Sequence, residues 1–356
     1  MPSLYIHIPF CISKCAYCDF VSFPKRERDW DAYLDALIDE IESWRPLFEK
    51  RGVETVFIGG GTPTVLNGEQ LERLLAHIPK ALEFTSEANP GTLTADKLSV
   101  LRTGGVNRLS IGAQSFDDRL LGSLGRIHGA TQIAEAVVLA RRAGFENLNL
   151  DLMYALPGQT MTQWLTTLDA AIALHVPHIS AYSLIVEEGT PMAARVACGE
   201  AILPDDDAVN TMQRLAVKRL AEAGYGRYEI SNYALPGYEC AHNRVYWNRG
   251  DYIGVGCAAH SLLDGKRFSN PAGLEAYLRG ERHIDEQTLT EEDVYEESVM
   301  LMTRTREGIP LRLLKPDAQR TLEKLIDCKL ARIENNRLVL TTRGMELQDA
   351  IVLEFL

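Results

Sequence analysis

With 356 residues, 46% of them hydrophobic, the chain is long enough to bury one large core and a smaller one. No run approaches the roughly 18–20 uninterrupted apolar residues that cross a bilayer, so a transmembrane helix is excluded. A net charge of −12 with no dense Lys/Arg run argues against nucleic acid as a partner and against tight binding to anionic lipid, while a loose peripheral membrane contact stays open.

The N-terminus, MPSLYIHIPFCISKC, shows no basic segment followed by a long apolar run, so the expectation is a cytoplasmic protein. The first strand is expected at Leu4 to Ile8, and three of the seven cysteines crowd behind it at Cys11, Cys15 and Cys18. An odd set of thiols with that crowding suits metal ligation in a reducing compartment better than disulfides. Trp30, Tyr33, Leu34, Leu37, Ile38, Ile41 and Trp44 then recur at helical spacing and predict a helix with one apolar stripe. Further strands are expected at Thr55–Ile58, Phe84–Ala88, Arg108–Ile111, Asn147–Leu152 and Ile179–Leu184, with a weaker seventh near Arg227–Ile230. Intervening helices have side-chain oxygens at Asn67 and Thr94 to accept from their first free amides.

Six alternating units predict an α/β fold, a partial (βα)6 barrel, with its functional loops at the carboxyl ends of the strands. The pattern changes after about residue 234. From Thr288 onward it reads as helices followed by a hairpin that turns at Asn335 and Asn336, a smaller, mainly helical, winged-helix-like unit. The expected division is 1–234 for the barrel, 235–287 for a connecting segment and 288–356 for the C-terminal unit.

The spacing C-x3-C-x2-C after a strand lets a loop curl three thiolates around a four-iron cluster, leaving one iron open to a small molecule. A zinc site would normally show a fourth Cys or His. The stretch Tyr5-Ile-His-Ile-Pro-Phe-Cys11-Ile-Ser-Lys-Cys15-Ala-Tyr-Cys18-Asp-Phe20 resembles the opening of the oxygen-independent coproporphyrinogen-oxidase-like branch of the radical S-adenosylmethionine (SAM) proteins. That resemblance implies a [4Fe-4S] cluster on Cys11, Cys15 and Cys18 with SAM on its open iron. It also implies SAM contacts from Gly60, Gly61 and Thr62 of the Gly59-Gly-Gly-Thr-Pro63 run, and from Glu87, Gln114, Arg126 and Asp151. Tyr5 and Tyr17 are lesser candidates for flanking contacts.

Phe20 departs from the oxidase, whose motif carries a further cysteine there, and the oxidase's longer N-terminal extension is missing as well. The closer likeness is to the HemW group of haem chaperones, carried by Cys240-Ala-His242-Asn243-Arg244-Val245-Tyr246-Trp247. That likeness implies haem as ligand, with His242 as its axial donor and haem-dependent respiratory proteins as clients, together with an electron donor for the cluster. For the residues alone, a core histidine with Tyr246 and Trp247 as packing is the other reading. An enzyme oxidising coproporphyrinogen III without oxygen is the rival function, and a homodimer is left open.

Overall fold

In the computed structural model, which describes residues 1–356, the six expected strands lie side by side and parallel: β1 (Ser3–Ile8), β2 (Thr55–Gly60), β3 (Glu83–Ala88), β4 (Arg108–Gln114), β5 (Asn147–Tyr154) and β6 (His178–Ser183). The crossovers carry α1 (Trp30–Arg51), α2 (Gly68–Leu75), α3 (Ala95–Thr103), α4 (Asp118–Leu124), α5 (Ala130–Arg142) and α6 (Met161–Ala173). Side chains alternate across each strand. Leu4, Ile6, Val56, Ile58, Leu109 and Leu150 join Tyr33, Leu34, Leu37 and Ile41 of α1 in the main core. The alternate residues, among them Tyr5, Glu87, Arg108, Asn149 and Asp151, fill the barrel interior. Asn67 with Gln70 forms the capping box that starts α2, and Thr94 caps α3.

The weaker strand expected near Arg227–Ile230 is instead a two-residue piece, β7 (Gly226–Arg227), which turns antiparallel onto β8 (Asn232–Ala234) at the β6 edge. The seventh parallel strand is β9 (Tyr252–Val255), from the expected connecting segment, and it pairs with β1 on the other edge. Three antiparallel strands extend that edge: β10 (His260–Leu263), β11 (Lys266–Ser269) and β12 (Ile284–Thr288). In sequence β9 is hidden by its length and by Gly254, where an added Cβ would stand 2.1 Å from the His260 carbonyl oxygen. Two helices, α7 (Pro191–Ala197) and α8 (Asp206–Glu222), follow β6, and two short helices, α9 (Ala241–Trp247) and α10 (Leu274–Leu278), flank the added strands.

The C-terminal unit has its own core, built on Val299, Leu325, Leu338 and Ile351. Its helices α11 (Glu291–Met302) and α12 (Gln319–Asp327) pack beside β13 (Ile309–Pro310), β14 (Ala331–Glu334) and β15 (Arg337–Leu340). Asn335 and Asn336 sit at φ 50° and 59°, the left-handed pair that a two-residue hairpin turn requires. The unit grips the barrel through Arg304, whose guanidinium bonds the fully buried Glu229 carboxylate at 2.9 Å and lies 4.1 Å over the Trp247 ring.

Candidate functional site

Beyond β1 the chain turns so that Phe10–Cys11 pairs in parallel with Phe23–Pro24, which closes residues 11–23 into a loop at the carboxyl end of the barrel. Three ties hold that loop. His7 Nε2 donates to the Val21 carbonyl at 2.9 Å, which leaves Nδ1 to accept from the Tyr5 hydroxyl at 3.0 Å. The Ala16 amide donates to Leu124 at 3.0 Å, and the Met192 amide donates to Ala16 at 2.8 Å. Cys11, Cys15 and Cys18 all line one cavity of about 470 Å³. Burial pushes the Cys11 thiol up and the Cys18 thiol up to about 11, so metal binding here must displace protons.

The opposite wall of the cavity comes from the ends of β2 to β5. Gly60, Gly61, Thr62, Glu87, Gln114, Arg126 and Asp151 line it, and Tyr17 lines the cavity from the thiol loop, so the structure brings these expected site residues to one cavity. The glycines are required by crowding beneath them: a Cβ on Gly60 would meet the His7 ring at 2.5 Å, and one on Gly61 the Phe10 carbonyl oxygen at 2.6 Å. Gln114 is held at φ 63°, where the β4–β5 register slips, and this irregularity turns its side chain into the cavity. Arg126 donates to the Gly112 carbonyl at 2.6 Å and approaches Cys15 Sγ at 3.5 Å, while its buried Nε has no partner. A guanidinium with a free donor, two carboxylates on the facing wall and a glycine turn against three thiols fit a cluster with a zwitterionic, cationic ligand beside it.

Glu87 accepts from the Gly60 amide at 3.1 Å. Burial, and then the charge of Asp151, push its carboxyl up to about 8. Because the folded value lies above the unfolded one, the proton is held more tightly in the folded chain. Stability is therefore highest below the unfolded value and falls as pH rises towards about 8. Cavity water tempers the effect. Glu87→Gln should flatten the loss of stability between roughly pH 5 and 8 by about 1–3 kcal/mol in the ligand-free chain. Urea midpoints across that range that fall equally in both proteins would refute the assignment.

Two predicted residues lie elsewhere. Tyr5 is one layer below the cavity, stacked on Phe57 with ring centres 6.2 Å apart. His242 is at the other end of the barrel, beside Thr55 and Glu83, which begin their strands. In this arrangement the imidazole expected to ligate haem is closed off from solvent. His242 is fully buried, its Nδ1 pairs with Thr55 Oγ1 at 2.7 Å and its Nε2 with the Tyr246 hydroxyl at 2.8 Å. It also stacks on Phe57, and burial with the nearby Arg108 charge pushes its pKa down to about 3. The Glu83 carboxylate caps the helix below it, accepting from the Ala241 and His242 amides, each at 2.9 Å.

Other site residues escaped the sequence reading. Ser110 and Asn149 hold the Asp151 carboxylate at 3.1 and 2.8 Å. Each lies two residues before a cavity residue on its strand, so the alternation itself was a usable signal. The apolar lining of Ile185, 68% exposed, carries no motif, whereas Phe20, 64% exposed and also in the lining, was marked by the thiol motif.

Residues 5–171 match the radical SAM superfamily model, and residues 289–347 match the HemN C-terminal domain. The chain is 38% identical to "Heme chaperone HemW" of Lactococcus lactis, over 99% of this chain and 97% of that protein. It is 43% identical to the Escherichia coli protein of the same name, over 80% and 78% of the two chains. Among solved structures, coproporphyrinogen III oxidase (HemN) from Escherichia coli, described as a radical SAM enzyme, superposes with a TM-score of 0.85 at 26% identity, covering 99% of this chain and 90% of that one. With the thiol loop and the wall facing it arranged as described, the chain belongs to the radical SAM superfamily and, within it, to the HemW family of haem chaperones.

Proposed function

We propose that this chain binds haem and passes it to haem-dependent proteins, those of the respiratory chain included, while carrying a [4Fe-4S] cluster on Cys11, Cys15 and Cys18 with SAM beside it. The observation that carries the reading is the single cavity that gathers those three thiols with Glu87, Gln114, Arg126 and Asp151. When bound, the cluster supplies an open iron for the methionyl amine and carboxylate of SAM and, with an electron donor, an electron. Arg126 pairs with the carboxylate, and Asp151 and Glu87 accept from ribose hydroxyls or the amine. The loop 11–23 keeps the thiols on one side of the ligand, and cavity residues on β3 to β5 keep its polar groups on the other.

Haem ligation by His242 requires α9 to leave its seat, giving up the bonds to Thr55 and Tyr246. Apparent affinity is then the intrinsic affinity scaled by the open fraction, which suits a carrier that must release its cargo. Two substitutions should act in opposite directions. His242→Ala removes the donor and weakens haem binding at least tenfold, whereas Tyr246→Phe removes one resting bond of about 1 kcal/mol and tightens binding roughly fivefold. Spectroscopic haem titration of the reconstituted protein reads both. Unchanged binding in both variants would leave His242 as a core residue and place haem elsewhere.

The second reading is oxidation of coproporphyrinogen, favoured by the likeness to the oxidase over nearly the whole chain. Against it stands Phe20, a phenyl ring in the cavity where the oxidase motif carries a cysteine. Conversion of coproporphyrinogen by the reconstituted protein, with haem binding indifferent to His242, would favour the enzyme.

A further inference from the structure

Between the SAM wall and α9 the barrel interior holds a continuous line of buried polar groups. The Cys240 amide donates to the Tyr228 hydroxyl oxygen at 3.3 Å, and that oxygen lies 2.8 Å from His178 Nε2. His178 Nδ1 is 2.6 Å from Asn149 Oδ1, and Asn149 Nδ2 donates to Asp151 at 2.8 Å and to Ser110 at 2.7 Å. Ser110 donates to the other Asp151 oxygen at 3.1 Å. His178, Tyr228, Asn149 and Cys240 are buried to within 1%. The line therefore joins the cavity carboxylate to the start of α9 with no solvent step.

The directions of these bonds are fixed by what each group can do. An ionised Asp151 accepts only, so Asn149 presents its amide nitrogen to it and its oxygen to His178. Ser180 also donates to that oxygen at 3.2 Å. His178 must then carry its proton on Nδ1, Nε2 must accept from Tyr228, and the Tyr228 oxygen is left with its lone pair facing the Cys240 amide. Burial and the Arg108 charge push the pKa of His178 down, so the ring holds one proton and not two. With one proton there are two polarities. Burial raises the pKa of Asp151, and once that carboxyl takes up a proton the Asn149 amide can turn its oxygen to it and its nitrogen to His178. The ring tautomer protonated on Nε2, reached by proton exchange with solvent when the line opens, then donates to the Tyr228 oxygen, and the hydroxyl hydrogen turns away, beside the Cys240 amide that precedes α9. Such a reversible line is a two-state element, which coupling between separated sites requires.

We infer that His178 and Tyr228 are positioning residues that tie occupancy of Asp151 in the cavity to the seating of α9, and so to the closure of His242. The inference rests on the proposed roles of the cavity and of α9. A ligand hydroxyl on Asp151 holds the carboxylate ionised and oriented, selects the polarity that points towards it and seats α9. An empty carboxylate leaves both polarities open and α9 freer to lift. Linkage makes the effect reciprocal: SAM weakens haem binding and haem weakens SAM binding by the same factor, about fivefold to tenfold.

The test is amide exchange over 240–247 in the cluster-reconstituted protein, with and without SAM, SAM binding being measured separately by equilibrium dialysis. In the wild type, SAM should slow exchange there about fivefold or more. Tyr228→Phe and His178→Leu should lose that protection while keeping the cluster. His178→Gln, whose amide can donate to Asn149 and accept from Tyr228, should restore it, which separates a relay from general loosening. No protection by SAM in the wild type, or equal protection in all four proteins, would overturn the inference. Protection that follows this pattern in a protein that takes up no haem would uphold the relay and remove the haem reading instead.

Discussion

Cys15→Ala should yield a folded chain that takes up no stable four-iron cluster. The broad visible absorbance of the reconstituted protein should be lost and SAM affinity should fall by more than about 100-fold, since weakening outer contacts of a metal site alone costs 10–100-fold. Cys15 is a half-exposed thiol at a loop position whose backbone bonds run from Ala16 to Leu124 and from Met192 to Ala16, so the substitution removes a ligand and leaves the loop tied. The thermal midpoint of the apo form should stay within about 2 °C of wild type, which separates ligand loss from misfolding. Retention of the cluster by Cys15→Ala, with loss on substituting Cys240 or Cys257, would move the site. Those two thiols are fully buried, and Cys257 Sγ approaches the carbonyls of Pro271 and Ala272 at 3.2 and 3.0 Å, the setting of a packed thiol.

That three thiols share one loop and one cavity was legible because such a loop needs nothing beyond a few consecutive residues after a strand. The six strands were legible as short apolar runs alternating with helix-like runs, the clearest of them the 22-residue α1. What the sequence hid depends on tertiary contacts. Strand β9 is four residues long with a glycine inside it, and only pairing with β1 and β10 makes it a strand. For His242 the residues alone favoured a core role and the family likeness a ligand, and its resting partners Thr55, Phe57 and Glu83 all lie more than 150 residues away in the chain. Motif residues near one another in sequence thus ended at opposite ends of the barrel from residues that only the sheet brings close.

Glu40→Ala should be among the most destabilising single substitutions in the barrel, costing about 3–5 kcal/mol and lowering the thermal midpoint by roughly 5–10 °C. Glu40 falls on the apolar stripe of α1, three residues after Leu37, and is 5% exposed. Its carboxylate accepts from Asn270 Nδ2 and the Tyr277 hydroxyl, both at 2.6 Å, and from the Gly256 amide at 2.9 Å, with Arg282 Nε at 3.5 Å. Truncation leaves an amide, a hydroxyl, a side-chain amide and a guanidinium facing a void, and each buried donor left unpaired costs about 1–3 kcal/mol before relaxation. The damage would reach the site, because Gly256 follows β9, and Tyr33, which donates to the His7 carbonyl at 2.7 Å, accepts there from the Cys257 amide at 3.0 Å. His7 in turn holds the thiol loop at Val21. Glu40→Gln keeps one acceptor and the volume, and should recover about half of the loss. Denaturant midpoints for the two variants within about 1 kcal/mol of wild type would mean that water replaces the carboxylate, and that α1 is held to β9 by its apolar stripe alone.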